Sequence, residues 1–175
     1  YDFVQDQTHD GKKFRMLTVI DEFTLRGLAI LVARSLKSDD VPACLTELFT
    51  THGPPDHIRS DNGSMFTANA DRDWLARMDL KTLFITPGSP WENGYNKSFD
   101  GKVRDELLNM KIFHTLEEAK VLVEQWRLHY NTARPHSSLN YRPSASETIV
   151  PRPVTSIYAA LRSPQQGNQT GQTLS

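Results

Sequence analysis

The first part of the chain alternates between runs of β-branched and aromatic residues and short polar breaks. The runs are YDFVQD (1–6), FRMLTVIDEFT (14–24) and RGLAILVA (26–33), separated by the turn HDGKK and a break near Leu25 to Gly27. Branched and aromatic residues favour strands, whereas Gly, Asp and Asn favour turns. The pattern predicts a three-stranded antiparallel meander.

The spacing of the apolar residues then becomes helical. Val41, Leu45 and Leu48 recur on one side of a segment for which Ser38 is the predicted N-cap and Gly53 the predicted end. A short strand (56–61), an amphipathic helix (69–79) and a fifth strand (81–86) follow. Three strands followed by alternating helices and strands predict a mixed α/β fold.

Two further helices are predicted in the second half, one from Lys97 to about Met110 and one beginning after Thr115. Thr115 and Glu118 fit a capping box. Beyond them Pro and Ser become frequent, and SPQQGNQTGQTLS is polar and poor in apolar residues. We expect one domain over residues 1–147 and a disordered tail over residues 148–175.

Composition and charge limit the possible classes of function. Twenty Lys and Arg against 21 Asp and Glu give a net charge of −1, so any DNA binding must be local. A single cysteine excludes an internal disulfide framework and suits the cytoplasm. No apolar run approaches the roughly 20 residues that span a membrane. The missing initiator Met suggests a piece of a longer protein.

Two carboxylates are placed where chemistry could occur. Asp61 ends a predicted strand and precedes Asn-Gly, and Asp2 lies in the first strand. If these strands are neighbours, the two side chains could converge on a hard cation such as Mg²⁺, which prefers oxygen ligands. Turn chemistry at Asp61 and a solvated edge position for Asp2 are the alternatives.

Four segments together carry a resemblance to a known family. In order they are DFVQDQTHDGKKFRMLTVIDEFT, IRSDNGSMFTA, TPGSPWENGYNKSFDGKVRDELLN and WRLHYNTARPHSSLNYRP. They resemble the integrase-type catalytic domain of IS3-family insertion-sequence transposases, over roughly residues 1–147. The resemblance implies a ribonuclease-H-like fold, with a mixed five-stranded sheet of three antiparallel and two parallel strands flanked by helices.

The resemblance also implies an activity: DNA cleavage and strand transfer at an acidic site of two aspartates and a glutamate. Such a site uses two divalent ions, Mg²⁺ or Mn²⁺, and acts in a homo-oligomeric complex with DNA. The two family aspartates fall on Asp2 and Asp61. The glutamate position, separated from Asp61 by 35 intervening residues, falls on Lys97, with the surrounding motif in register.

Lys97 alters the expected site. It removes one metal ligand and changes the formal charge of the cluster from −3 to −1, which weakens metal attraction by several kcal/mol at an effective dielectric near 20. Its ammonium could instead pair with Asp2 or Asp61, or point into solvent. Asp100, about 4.5 Å further along the helix, and Glu92 are the neighbouring carboxylates that could substitute.

Two classes of function remain open. The first is a transposase catalytic domain, impaired by Lys97, in which Asp2 and Asp61 bind metal. The second is a catalytically disabled DNA-binding or transposase-assembly module. In either case the predicted DNA contacts are Asn62, Lys102, Arg104 and Arg134.

Overall fold

The computed structural model describes residues 1–37, 39–60, 81–84 and 94–133, and residues 81–84 by their backbone alone. Asp61, Asn62, Glu92, Arg134, the helix predicted over 69–79 and the proposed tail therefore lie outside the described residues. The elements are β1 (Asp2–Gln7), β2 (Lys13–Asp21), β3 (Arg26–Ala33), α1 (Asp40–His52), β4 (His57–Ser60), β5 (Lys81–Phe84), α2 (Gly94–Glu106), a 3₁₀ helix (Leu108–Met110) and α3 (Leu116–Thr132).

The strands pair in the predicted directions, but within the described residues they form two separate sheets, so the single five-stranded sheet stays a prediction. β1, β2 and β3 pair antiparallel in that order, with Asp2 opposite Thr18, and β4 pairs with β5 in parallel. The backbone nitrogen of Tyr1 donates a hydrogen bond of 2.9 Å to the carbonyl oxygen of Arg59. This bond joins the start of β1 to the end of β4, so the two groups of strands meet at the edge where Asp2 lies.

Side chains from the antiparallel strands pack on both faces of the sheet. Successive strand residues point to opposite faces. Leu17 and Leu31 pack towards α1, in a cluster with Cys44 and Leu45. The opposite face packs against α2 and α3 through a second buried cluster, which comprises Val4, Phe14, Met16, Ile30, Val32, Phe99, Val103, Val123, Trp126 and Tyr130. The result is a three-layer α/β/α arrangement.

The helix ends agree with the sequence in part. The Thr115 hydroxyl accepts a hydrogen bond from the Glu118 amide, as the capping box predicts. The Glu118 carboxylate accepts from the amide of His114, one residue earlier than in the usual box. Two predictions were wrong: α1 is capped at Asp39, one residue after Ser38, and α2 begins at Gly94, one turn before Lys97.

A hydrogen-bonded clamp attaches α3 to β3. The Asn131 side chain accepts a bond from the Gly27 amide and donates to the Gly27 carbonyl, both at 2.9 Å. Arg127, also buried, donates to the Gly27 and Leu28 carbonyl oxygens at 2.7 and 3.2 Å. A Cβ added at Gly27 would lie 2.8 Å from the ring of Phe99. Glycine therefore allows the helical layer to approach the strand closely.

Two further observations concern the whole molecule. Cys44 is fully buried, and burial raises the pKa of its thiol to about 12, so this thiol is unreactive in the folded protein. Among the described helices, none combines the length and the apolar character that crossing a membrane requires.

Candidate metal and nucleic-acid site

Asp2 points to the face of the sheet that α2 covers. It is two residues before Val4, whose side chain packs with Phe99 and Val103 of α2, and residues two apart in a strand share a face. The Asp2 carboxylate accepts a 2.7 Å bond from the Phe3 amide. Its cross-strand partner is the buried Thr18, whose hydroxyl lies 3.2 Å from the Asp2 carbonyl oxygen. The strand therefore presents Asp2 beneath the helix.

Asp100 is the α2 carboxylate that faces Asp2. The Thr18 hydroxyl lies within hydrogen-bonding reach of the Asp100 carboxyl as well as of the Asp2 carbonyl oxygen. A hydroxyl has one proton and can donate to only one of them at a time. The Oδ1 atom of Asp100 is buried and has no hydrogen-bond partner among the described residues. One oxygen of this carboxyl is therefore left unsatisfied.

The electrostatics of Asp100 reflect this position. Burial is the main cause that raises its pKa, to about 7 from an ordinary 3.8, and the charge of Asp2 raises it further. The Thr18 hydroxyl, the positive charge on the first nitrogen and Arg104 act in the opposite direction. Burial, together with the neighbouring charge of Asp2, therefore keeps the pKa of the Asp100 carboxyl above its ordinary value.

Lys97 lies on the exposed side of α2. The side chains that α2 turns towards the sheet are Asn96, Phe99 and Val103, with Asp100 partly buried beside them. No ion pair within 4.0 Å joins Lys97 to Asp2 or to any other described carboxylate. Its position agrees with the alternative in which the ammonium points into solvent, whereas a pairing with Asp61 lies beyond the described residues.

Asn96 is a further polar residue on the buried side of α2. It is only 1% exposed, and both its amide nitrogen and its amide oxygen lack hydrogen-bond partners among the described residues. It precedes Asp100 by four residues, so the two side chains lie one above the other on the same face of the helix. A buried amide without partners costs about 1–3 kcal/mol, which a bound ligand could recover.

The predicted DNA-binding residues of α2 differ in availability. Arg104 is exposed near the end of the helix. Lys102 is half-buried, and its ammonium lies 5.6 Å from the centre of the Tyr130 ring, which is the geometry of a cation–π contact. The exposed Arg104 can therefore reach a phosphate directly, whereas Lys102 would exchange its contact with the Tyr130 ring for one with the phosphate.

The donor set at this edge of the sheet suits a hard cation. Asp2, Asp100 and the amide oxygen of Asn96 are oxygen ligands of the type that Mg²⁺ and Mn²⁺ prefer. The unsatisfied Oδ1 of Asp100 is the observation that supports this fit. Within the described ranges, no three His, Cys, Asp or Glu residues are grouped to hold a metal. Asp2 and Asp100 supply two acidic residues of such a group, and Asp61, a candidate third, is the next residue in the sequence after β4.

The motif register pointed to position 97, with Asp100 as a neighbouring carboxylate that could substitute, and the sequence analysis did not single out Asn96. The available signal was the helical period: Asn96, Phe99, Asp100 and Val103 form one stripe, in which two polar residues interrupt an otherwise apolar contact with the sheet.

Two family models match the chain, and both are described as "Integrase core domain". One matches residues 1–90 and the other residues 78–143. Together they cover residues 1–143, so the region that contains Asp2, Asp61 and Asp100 lies inside the matches.

Curated relatives come from bacterial insertion elements. The chain is 36% identical over 160 residues to the IS476 uncharacterized 39.2 kDa protein of Xanthomonas euvesicatoria, covering 86% of this chain and 46% of the relative. It is 38% identical over 140 residues to the IS407 uncharacterized 31.7 kDa protein of Burkholderia multivorans, covering 80% and 50%. The chain therefore spans about half the length of these relatives.

The fold is shared with a solved retroviral integrase. The catalytic core domain of HTLV-2 integrase, in complex with magnesium and in a trimeric form, aligns with a TM-score of 0.56 and 16% identity. The alignment covers 82% of this chain and 93% of that one. The likeness establishes the ribonuclease-H-like α/β fold that the sequence predicted.

Proposed function

Because the chain belongs to the integrase core domain family, we propose that it is the catalytic core of an insertion-element transposase, which cuts and joins DNA strands. The observation that carries the proposal is the hydrogen bond between Tyr1 and Arg59. It brings the start of β1, where Asp2 lies, against the end of β4. Asp61 is the next residue in the sequence after β4, which supports the proposal that the two family aspartates act together.

In this proposal Asp2 and Asp61 hold Mg²⁺ or Mn²⁺, and the carboxylates attract the ions electrostatically. When bound, such ions polarise the phosphate and lower the pKa of the attacking water or hydroxyl. Arg104 and Lys102, with Asn62 and Arg134, contribute contacts to the DNA backbone, which fix the position of the strand but carry no sequence information.

Lys97 leaves this site short of one carboxylate. The family glutamate would supply a ligand from α2, whereas Lys97 contributes an exposed positive charge at the same helical position. A positive charge in place of a carboxylate ligand disfavours a second metal ion. We therefore propose that DNA cleavage and strand transfer by this chain are impaired.

Lys97 also supports a second candidate function, in which the chain binds DNA or other transposase subunits without catalysis. With one metal position weakened, the chain could serve as a catalytically disabled module that binds DNA or assembles with other transposase subunits. The exposed Arg104 favours this alternative, because DNA contacts do not depend on the carboxylates.

The proposal extends to partners and location. DNA is the expected macromolecular partner, and a homo-oligomer is the expected assembly, as for the trimeric HTLV-2 core. The buried thiol of Cys44, the single cysteine, is compatible with the cytoplasm, where a transposase would meet bacterial DNA.

Supercoiled-plasmid nicking with Mg²⁺ or Mn²⁺ tests the proposed function. The chain should nick at background level, Lys97→Glu should gain metal-dependent nicking, and adding Asp61→Asn to Lys97→Glu should abolish it. Duplex binding, measured by fluorescence anisotropy, should persist in all three proteins and weaken in Arg104→Ala.

The controls separate the two candidate functions. Lys97→Gln removes the positive charge without adding a ligand, so nicking restored by Glu but not by Gln indicates a missing carboxylate. If Lys97→Glu binds DNA but remains inactive with either metal, the chain is better described as a binding module. Nicking by the unaltered chain at the rate of Lys97→Glu would contradict the proposed impairment.

A further inference from the structure

The geometry points to a cation site that does not use position 97: Asp100, together with Asp2, holds one divalent metal ion. This inference rests on the proposed function for the location of the site, and it names the chain's own residue that takes the ion. It predicts that Asp100 supplies from α2 a carboxylate ligand that Lys97 does not.

The first support is the direction of the two side chains. Asp2 lies on the sheet face covered by α2, and Thr18, opposite Asp2, reaches the Asp100 carboxyl from the neighbouring strand. One threonine side chain therefore lies between the backbone of Asp2 and the carboxyl of Asp100. The two acidic residues come from different elements and converge at the same end of the sheet.

The second support is an incomplete set of hydrogen bonds. Oδ1 of Asp100 is buried without a partner, and no described salt bridge involves Asp100. A carboxylate that is removed from water and left unpaired is costly, and a bound cation removes that cost. Lys97, one turn earlier, is exposed and does not supply the missing charge.

The third support is independent of the acidic residues. Asn96 is almost completely buried, on the same face of α2 as Asp100, and neither polar atom of its amide has a partner in the described part of the chain. An amide oxygen is a neutral ligand for hard cations. α2 thus carries two oxygen atoms on one face that could act as metal ligands and that have no hydrogen-bond partner among the described residues. They are the neutral amide oxygen of Asn96 and the anionic Oδ1 of Asp100.

Mn²⁺ binding to the full 175-residue chain tests the inference without any measurement of activity. Free Mn²⁺ is followed by electron paramagnetic resonance at pH 8 in the absence of DNA. We expect Mn²⁺ binding that depends on Asp100. Asp100→Asn and Asp2→Asn should each weaken binding at least about tenfold, because each removes a full negative charge from the site. Asp105→Asn, at an exposed position of the same helix, is the matched control and should bind as the unaltered chain does.

Paramagnetic broadening in the unaltered chain provides a second measurement that needs no variant. Substoichiometric Mn²⁺ should broaden the amide signals of Thr18 and Asp100 before those of the distant α1. Unchanged affinity in Asp100→Asn, absence of Mn²⁺ binding, or sharp Thr18 and Asp100 signals would each overturn the inference.

The result can be separated from that of the proposed function. If Lys97→Glu gains nicking while Asp100→Asn retains its Mn²⁺, the proposed function stands and the role of Asp100 is rejected. If Asp100→Asn loses Mn²⁺ while Lys97→Glu gains no nicking, Asp100 is a cation ligand in a protein that does not cut DNA.

Discussion

Replacing Asp100 by Asn should make the stability of the metal-free protein less dependent on pH. The folded protein raises the pKa of this carboxyl to about 7, mainly because the group is buried. A raised pKa means that the folded state holds the proton more tightly than the unfolded state does. The contribution of Asp100 to the free energy of unfolding is therefore greatest below pH 3.8. It falls as the pH rises, and becomes constant above about pH 7.

The size of the effect follows from the shift in pKa. At about 1.36 kcal/mol for each pKa unit, the difference between the ordinary and the folded value corresponds to about 4 kcal/mol. About 2.5 kcal/mol of this is lost between pH 5 and pH 8. Asp100 is partly exposed, and water reduces the effect. We therefore expect the stability of the unaltered chain to fall by about 1–2.5 kcal/mol more than that of Asp100→Asn over this interval.

Urea unfolding at pH 5, 6, 7 and 8, with EDTA present, measures this difference. Comparing the two proteins at each pH removes the contribution of titrating groups that do not interact with Asp100, such as His52, whose pKa burial lowers. Asp105→Asn serves as the control, because its carboxyl is exposed on the same helix. A gap between the unaltered chain and Asp100→Asn that is equal at pH 5 and pH 8 would refute the burial of a charged Asp100 beside Asp2.

Two further predictions concern packing and capping. Gly27→Ala should destabilise the protein by about 1–3 kcal/mol, because the new methyl group would overlap the Phe99 ring. At Gly101 no atom lies within 4 Å of an added Cβ, so Gly101→Ala should instead stabilise α2 by about 0.5–1 kcal/mol. Equal effects of the two substitutions in urea unfolding would argue against the close approach of Phe99 to Gly27. Thr115→Ala should cost about 1 kcal/mol in thermal unfolding through the lost N-cap of α3, and an unchanged midpoint would show that the cap contributes little.

The strands and the helix caps could be predicted because their signals are local. Runs of β-branched and aromatic residues separated by turn residues indicated β1 to β3, and Thr115 and Glu118 indicated the start of α3. The start of α2 was misjudged because Gly94 and Tyr95 are weak helix formers whose helical state depends on tertiary contacts. Asn96, on the next position, is one of those contacts, since it is buried against the sheet.

The candidate site could be predicted only in part, for a similar reason. Position in a motif identified Asp2, but which α2 side chain faces it depends on the rotation of the helix relative to the sheet. That rotation is set by Phe99 and Val103, which fill the core beneath the helix. Asp100 follows Phe99 directly and is carried towards Asp2, whereas Lys97 remains on the exposed side. Motif spacing along the chain contains no information about this rotation.

The clamp between α3 and β3 has a consequence for the edge of the sheet. β3 is the outer strand in the described part of the antiparallel sheet, and outer strands expose peptide groups that can pair with another chain. The side chain of Asn131 hydrogen-bonds to both the amide and the carbonyl of Gly27, and Arg127 donates a hydrogen bond to the carbonyl oxygen of Leu28. These two side chains cover the first peptide groups of the strand. Loss of α3 packing would expose them as a template for intermolecular β pairing, so that aggregation, and not only unfolding, should follow damage to this helix.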